Sequence, residues 1–267
     1  MMALSFRLEL RRSRLLGVGL AVVVLVYGGV MAVFYPILVA NTAAITDYIK
    51  LFPKEFMAAF GMTGSLADPG IFFSTYIGSF LWPVVAAIAG IALATRPTAA
   101  DAERGWSDLP LATPLTRGRY LGAAILGQVV VLGALAFVTV AGVISVGALV
   151  GAGFDVARFL AAGAVLWLFA CAIAGVASLA AVITLSRSVS ASITAGILIA
   201  MYLFNIVAQV QPDLAWLGDL SAFRYAGVGP LIDSGIADWV GIGVFSLVAL
   251  AGWTASLVLF RRRDLLP

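Results

Sequence analysis

Side chains able to do covalent or metal chemistry are scarce in this chain. It has no histidine, which removes Ser–His and Cys–His catalysis and histidine-bound zinc. Its one cysteine, Cys171, sits in the apolar run Leu168–Ile173. That rules out an intrachain disulfide or a cysteine metal cluster and predicts a buried, inert thiol. The thirteen Asp and Glu residues fall at the termini or between apolar runs. Ion-coupled carriers need an ionisable group at membrane depth, so a secondary carrier or a carboxylate intramembrane protease is disfavoured. No nucleophile stands beside a base, and the chain is expected not to be catalytic itself. Within the apolar runs the informative polar residues are Tyr76, Gln128, Asn205 and Gln209. Ser74, Thr75, Thr139, Thr194 and Tyr202 add hydroxyls. Asn205 and Gln209 lie four apart, on one face of a helix. An amide in lipid is costly without a partner, so this pair faces either neighbouring helices or a pathway.

The elements that must position these residues follow from composition. Of 267 residues, 63% are hydrophobic and 11% charged, against about 25% charged in a soluble domain. One water-soluble globule is excluded. Crossing a hydrocarbon core takes about 20 apolar residues, and six stretches qualify, roughly 15–40, 71–95, 120–150, 159–185, 191–210 and 239–260. The expected fold is therefore all-α, a polytopic membrane protein with six transmembrane helices and no soluble domain. The first stretch is too long, and too late after a polar start, for a cleaved signal peptide.

Twelve of the sixteen Lys and Arg residues share one side: Arg7, Arg11, Arg12, Arg14, Arg96, Arg104, Arg117, Arg119, Arg187 and Arg261 to Arg263. Lys50, Lys54, Arg158 and Arg224 take the other. The positive-inside bias puts both termini in the cytoplasm. This distribution explains the net charge of +3 through membrane lipid rather than nucleic acid.

The connections carry more than turns. Met1–Leu16 alternates arginines with Leu4, Phe6, Leu8 and Leu10. It reads as an interfacial helix, a plain positive-inside signal, or both. Asn41–Gly70 and Gln211–Asp238 are too apolar for solvated loops, and either caps a pathway or packs on the bundle. Trp82-Pro83, midway through the second span, predicts a bend that serves as a gate or as packing. Gly147 and Gly151 form a weak Gly-x-x-x-Gly signal for helix approach. Between Arg96 and Arg119, charged residues lead into a short amphipathic helix over 101–112 with Trp106, Leu109 and Leu111, ended by Thr113-Pro114. On residues alone this helix is either a docking surface for a cytoplasmic partner or an ordinary interfacial helix.

Here the chain resembles a known family. Glu103, Gly105, Asp108, Leu109, Leu111, Ala112, Thr113, Pro114, Leu115, Thr116 and Arg117 match in register a motif of ABC-2 type permeases, the membrane subunits of many ATP-binding-cassette exporters. Weaker similarities are Leu51-Phe52-Pro53 with Phe60-Gly61, Leu220 to Tyr225 with Pro230-Leu231, and Arg262-Arg263-Asp264. Two positions depart from the pattern. Arg104 replaces a common acidic residue, and Pro110 replaces a leucine, shortening or bending the helix.

The resemblance implies a single ABC-2 transmembrane domain over 1–267 in a cell membrane, in a prokaryote the plasma membrane. It implies a permease exporting a substrate with energy from ATP. The sequence lacks the Gly-x-x-x-x-Gly-Lys-[Ser/Thr] phosphate loop, so ATP and Mg would be held by a separate ATPase. Two ATPase subunits and a second permease copy or paralogue are the implied partners. Coupling to the ATPase would fall to Glu103, Gly105, Asp108, Leu109 and Arg117, with the N-terminal helix as the family's elbow helix. Tyr76, Gln128, Asn205 and Gln209 are the candidate pathway lining, and the uncharged spans favour an amphipathic or hydrophobic substrate. The rival reading is a non-transporting membrane anchor for a cytoplasmic partner.

Overall fold

The computed structural model describes residues 2–49, 51, 65–100 and 116–262. Within them the chain is helical and six helices are long and apolar enough to cross a membrane. They are Ser5–Ala40, Pro69–Ala99, Arg117–Leu149, Val156–Thr184, Arg187–Val210 and Trp239–Arg262, here the first to sixth spans. All six expected stretches are present; the first begins ten residues earlier than expected, and the other ends lie within four residues of theirs. One bundle end carries Arg96, Arg117, Arg187, Arg261 and Arg262 and is called the basic end. Residues Glu103, Gly105, Asp108 and Leu109, with the rest of the expected helix 101–112, lie outside the described residues.

The fourth span is the post of the bundle, packing against the second, third, fifth and sixth. Its sequence explains this position. Ala162, Ala170, Ala174, Ala177 and Ala181 alternate with Phe159, Leu166 and Phe169, all buried, and a helix apolar all round has no face suited to water. Its small residues let neighbours approach to backbone distance. A Cβ added at Gly252 of the sixth span would sit 2.5 Å from the carbonyl of Gly175, and one at Gly175 would sit 2.9 Å from Ala249. The first and third spans run side by side in the same direction, with Gly28 on Val143 and Gly29 on Val146.

Indole N–H groups tie the bundle where lipid offers no competing partner. Trp82 of the second span donates to the Leu166 carbonyl at 2.8 Å, and Trp167 of the fourth donates to the Val129 carbonyl at 3.0 Å. Trp253 of the sixth donates to Gln128 Oε1 at 3.0 Å, and Ser178 Oγ donates to the same oxygen at 3.3 Å. The hydroxyls of Thr139 and Thr194 turn back onto their own helices.

Three local features differ from the sequence reading. The N-terminal stretch runs straight into the first span as one helix, Met2–Ala40. Glu9, expected in a polar run ahead of the membrane, is buried there near Gly127. Gly147 brings no two helices together, because it accommodates the Phe154 ring, and Gly151 sits in a turn at φ +72°. The bend expected at Trp82-Pro83 is taken up as a π-helical segment over Ser74–Leu81, in which the Trp82 N–H bonds back to Ile77 O, five residues earlier. Pro83 has no N–H for Ser79 O, and its ring would crowd that carbonyl; the wider turn relieves both.

Replacing Gly252 by Val should force the fourth and sixth spans apart and cost about 1–3 kcal/mol, an overpacking penalty. Gly243→Ala, where an added Cβ meets nothing within 4 Å, should stay within about 0.5 kcal/mol. Denaturant titration of the two variants in micelles checks both; equal midpoints would remove the Gly175–Gly252 contact from its structural role.

Candidate functional site

The π-helical segment aims one face of the second span at a cavity. It supplies Ser74, Thr75, Tyr76, Gly78, Ser79 and Phe80 to a space of about 860 Å³ in the half of the bundle away from the basic end. Tyr27 and Met31 of the first span form a second wall, and Tyr202, Asn205, Ala208 and Gln209 of the fifth form a third. The connection between the fifth and sixth spans closes the end with Phe223, Arg224, Gly229, Pro230 and Asp233. A volume of several hundred Å³ suits a drug-sized or amphipathic molecule.

Aromatic contacts stiffen the walls. Tyr76 packs on Phe72 with ring centroids 4.9 Å apart, Tyr27 stacks on Phe80 at 6.3 Å, and Tyr202 meets Phe223 edge-on at 5.3 Å. Their hydroxyls have a different fate from the polar groups of the core. Among the described residues, the Tyr27, Tyr76 and Tyr202 hydroxyls and the Asn205 and Gln209 amides make no hydrogen bond to protein. Each offers donor and acceptor capacity to whatever fills the space.

Of the four expected lining residues, Tyr76, Asn205 and Gln209 come together here. Gln128 lies elsewhere, 1% exposed between the third, fourth and sixth spans, and joins them through its carbonyl oxygen. Its Nε2 is buried without a partner. Arg117, the one described member of the expected coupling set, begins the third span at the basic end, far along the bundle from the cavity.

The cap over the cavity is held by a polar latch. Residues Pro212–Leu220 form a 3-10 helix followed by two short helices, Ala222–Tyr225 and Gly229–Ser234. Ser221 Oγ donates to Met201 O at 2.7 Å, which seats the cap on the fifth span. Asp233 Oδ1 accepts the Gly70 N–H at 2.7 Å, in the first turn of the second span. A Cβ on Gly70 would lie 2.5 Å from Gly229 O, so only glycine admits the cap there. Arg158, at the start of the fourth span, donates through Nη1 to the carbonyls of Asp233 at 2.7 Å and Ile232 at 3.2 Å. Those carbonyls end the last short helix and lack helical partners. Asp155 orients Arg158 with a 3.3 Å ion pair and caps the fourth span by accepting the Arg158 N–H.

The sequence marks Arg158 as a basic residue on the far side, and Arg224 as another within the family-like stretch Leu220 to Tyr225. It assigns no role to Asp233, although the apolar connection studded with carboxylates is itself a signal. Tyr27 and Ser79 went unmarked, because isolated hydroxyls in an apolar run carry no local pattern.

A family model described as ABC-2 family transporter protein matches residues 3–265. No curated protein matches the sequence.

If the latch holds the cap, Asp233→Ala or Arg158→Gln removes one charge-assisted contact, worth about 1.5–3 kcal/mol. Hydrogen exchange at the amides of Gly229–Ser234 should then speed up about tenfold or more, with the fourth span unchanged. Exchange at the wild-type rate would show that packing alone seats the cap.

Proposed function

The chain belongs to the ABC-2 transporter family, and from that premise we propose that it is a permease subunit exporting an amphipathic substrate through the cavity between its first, second and fifth spans. The supporting observation is the contrast in polar bonding. The Trp82 and Trp167 indoles and the Thr139 hydroxyl are bonded within the bundle, whereas the amides of Asn205 and Gln209 and three tyrosine hydroxyls face an 860 Å³ space unbonded. Polar groups in hydrocarbon are costly unless something bonds them, and transported molecules or the water they displace would do so.

The basic end faces the cytoplasm in this reading, with both termini inside. The excess of arginine there supports the orientation. A separate ATPase docks on that face, one per permease, in an assembly of two permeases. ATP and Mg belong to that partner. Glu103 and Asp108 present carboxylates to basic groups of the ATPase, Gly105 permits close backbone approach, Leu109 packs into the partner, and Arg117 anchors the re-entry into the membrane. Closure of the ATPase pair pushes this segment, and the push reaches the cavity through the second and third spans, which it joins in sequence. The cap becomes the extracellular door.

A non-transporting anchor would share the docking segment. It would have no use for unbonded amides around a cavity, which favours transport.

The test is reconstitution of the permease with its ABC ATPase. Glu103→Ala with Asp108→Ala should leave the complex assembled or weakened but lose export and any substrate stimulation of ATP hydrolysis, by tenfold or more, the loss of at least one charge-assisted contact. Wild-type export by the double variant would sink the coupling assignment. Cysteine labelling at position 103 from outside the cell would sink the orientation.

A further inference from the structure

The lining of the cavity says which head group it accepts, an inference that rests on the transport reading above. Two charged side chains border the space, Arg224 and Asp233. Each is already met by protein. Arg224 Nη1 lies 2.6 Å from Asp219 Oδ1, and Asp233 Oδ1 takes the Gly70 N–H at 2.7 Å. Arg224 and Asp219 neutralise each other, while Asp233, bonded by a backbone N–H, keeps its negative charge. Among the described residues, no free positive charge therefore borders the cavity, and an anion entering would shed water without a counter-charge to replace it.

The unbonded groups are all neutral. Asn205 and Gln209 stand one turn apart on the fifth span, with Tyr202 on the turn before and Tyr76 across from them on the second span. An amide donates two hydrogen bonds and accepts two, and a phenol does one of each kind. Such a set replaces, bond for bond, the water around a head group made of hydroxyls or amides. Beside it Met31, Ile71, Phe80 and Ala208 offer apolar surface to a chain.

We propose that the cavity selects uncharged amphiphiles whose head carries several hydroxyl or amide groups, and discriminates against anions with the same chain, with Asn205 and Gln209 as the selecting residues. Binding leaves the latch carboxylate and the Arg224–Asp219 pair with their protein partners. The neutral head takes the amides and phenols, and the chain lies along the apolar wall.

The test uses the full chain in lipid nanodiscs with a cysteine reporter at Ala208, which lines the cavity and makes none of the proposed bonds; native Cys171 is buried. Maleimide labelling is timed with octyl glucoside, octyl phosphate or octyltrimethylammonium, each below its micelle concentration. The glucoside should slow labelling about fivefold or more and octyl phosphate less than twofold at the same concentration, a gap that one or two neutral hydrogen bonds supply; the ammonium is the reference for the variants. Asn205→Leu with Gln209→Leu should abolish protection by the glucoside. Because that pair of changes alters packing, a second variant, Gln209→Glu, should move protection toward octyltrimethylammonium.

Equal protection by the glucoside and octyl phosphate would overturn the selectivity and leave the cavity as a binding site. Better protection by octyl phosphate would overturn it in the same way. Protection that persists in both variants would overturn the assignment to Asn205 and Gln209. No protection by any probe would overturn the selectivity together with the reading of this cavity as the substrate site.

Discussion

A polar group surrounded by hydrocarbon has to be bonded by its own protein, and the arrangement of this bundle follows from that constraint. Lipid tails are as apolar as leucine, so helices gain little by merely covering one another. Close packing and interhelical hydrogen bonds decide the neighbours instead. The fourth span receives the Trp82 indole from the second, sends Trp167 to the third, and shares Gln128 with the third and sixth through Ser178. Gly175 against Gly252 removes the side chains that would hold the fourth and sixth spans apart. Each bond is modest, about 1 kcal/mol, yet together they specify one arrangement among many equally greasy ones.

The same constraint makes the cavity conspicuous. Its amides and phenols are left open around one space, and three local devices shape that space. Pro83 forces the wide turn that carries Ser74, Tyr76 and Ser79 to the wall. Edge-on, tilted and stacked contacts pack the tyrosines against Phe72, Phe80 and Phe223. The cap is tied at its rim, through Asp233 and Arg158, to the second and fourth spans. The fourth span, the post of the bundle, thus stands beside a second span that both lines the cavity and grips its cap.

Much of this was legible in the residues. Every span boundary but the start of the first lies within four positions of its expected place, because hydropathy and arginine clusters are local properties. The pairing of Asn205 with Gln209 on one face was legible for the same reason, since one turn of helix fixes it. Tyr76 was marked as polar within an apolar run and does reach the cavity. Gln128 carried the same signal and went to a different place. Nothing local separates an amide that will meet Trp253 from one that will meet open space. Glu9 was misplaced in depth because the helix containing it continues unbroken into the first span, and the register of that helix against Gly127 is a long-range fact. Gly147 and Gly151 matched a spacing that elsewhere brings helices together, but the neighbour of Gly147 is Phe154, from the turn that follows.

By itself the sequence determined how many times the chain crosses, which end carries the positive charge, and which family it belongs to; all three are written in contiguous stretches of some twenty residues or fewer. Only the tertiary structure decided which polar groups are spent on holding the bundle and which remain to meet a ligand. The physical reason is that a hydrogen bond between helices needs two partners brought within about 3 Å, and residues far apart in the chain learn of each other only when the helices have packed.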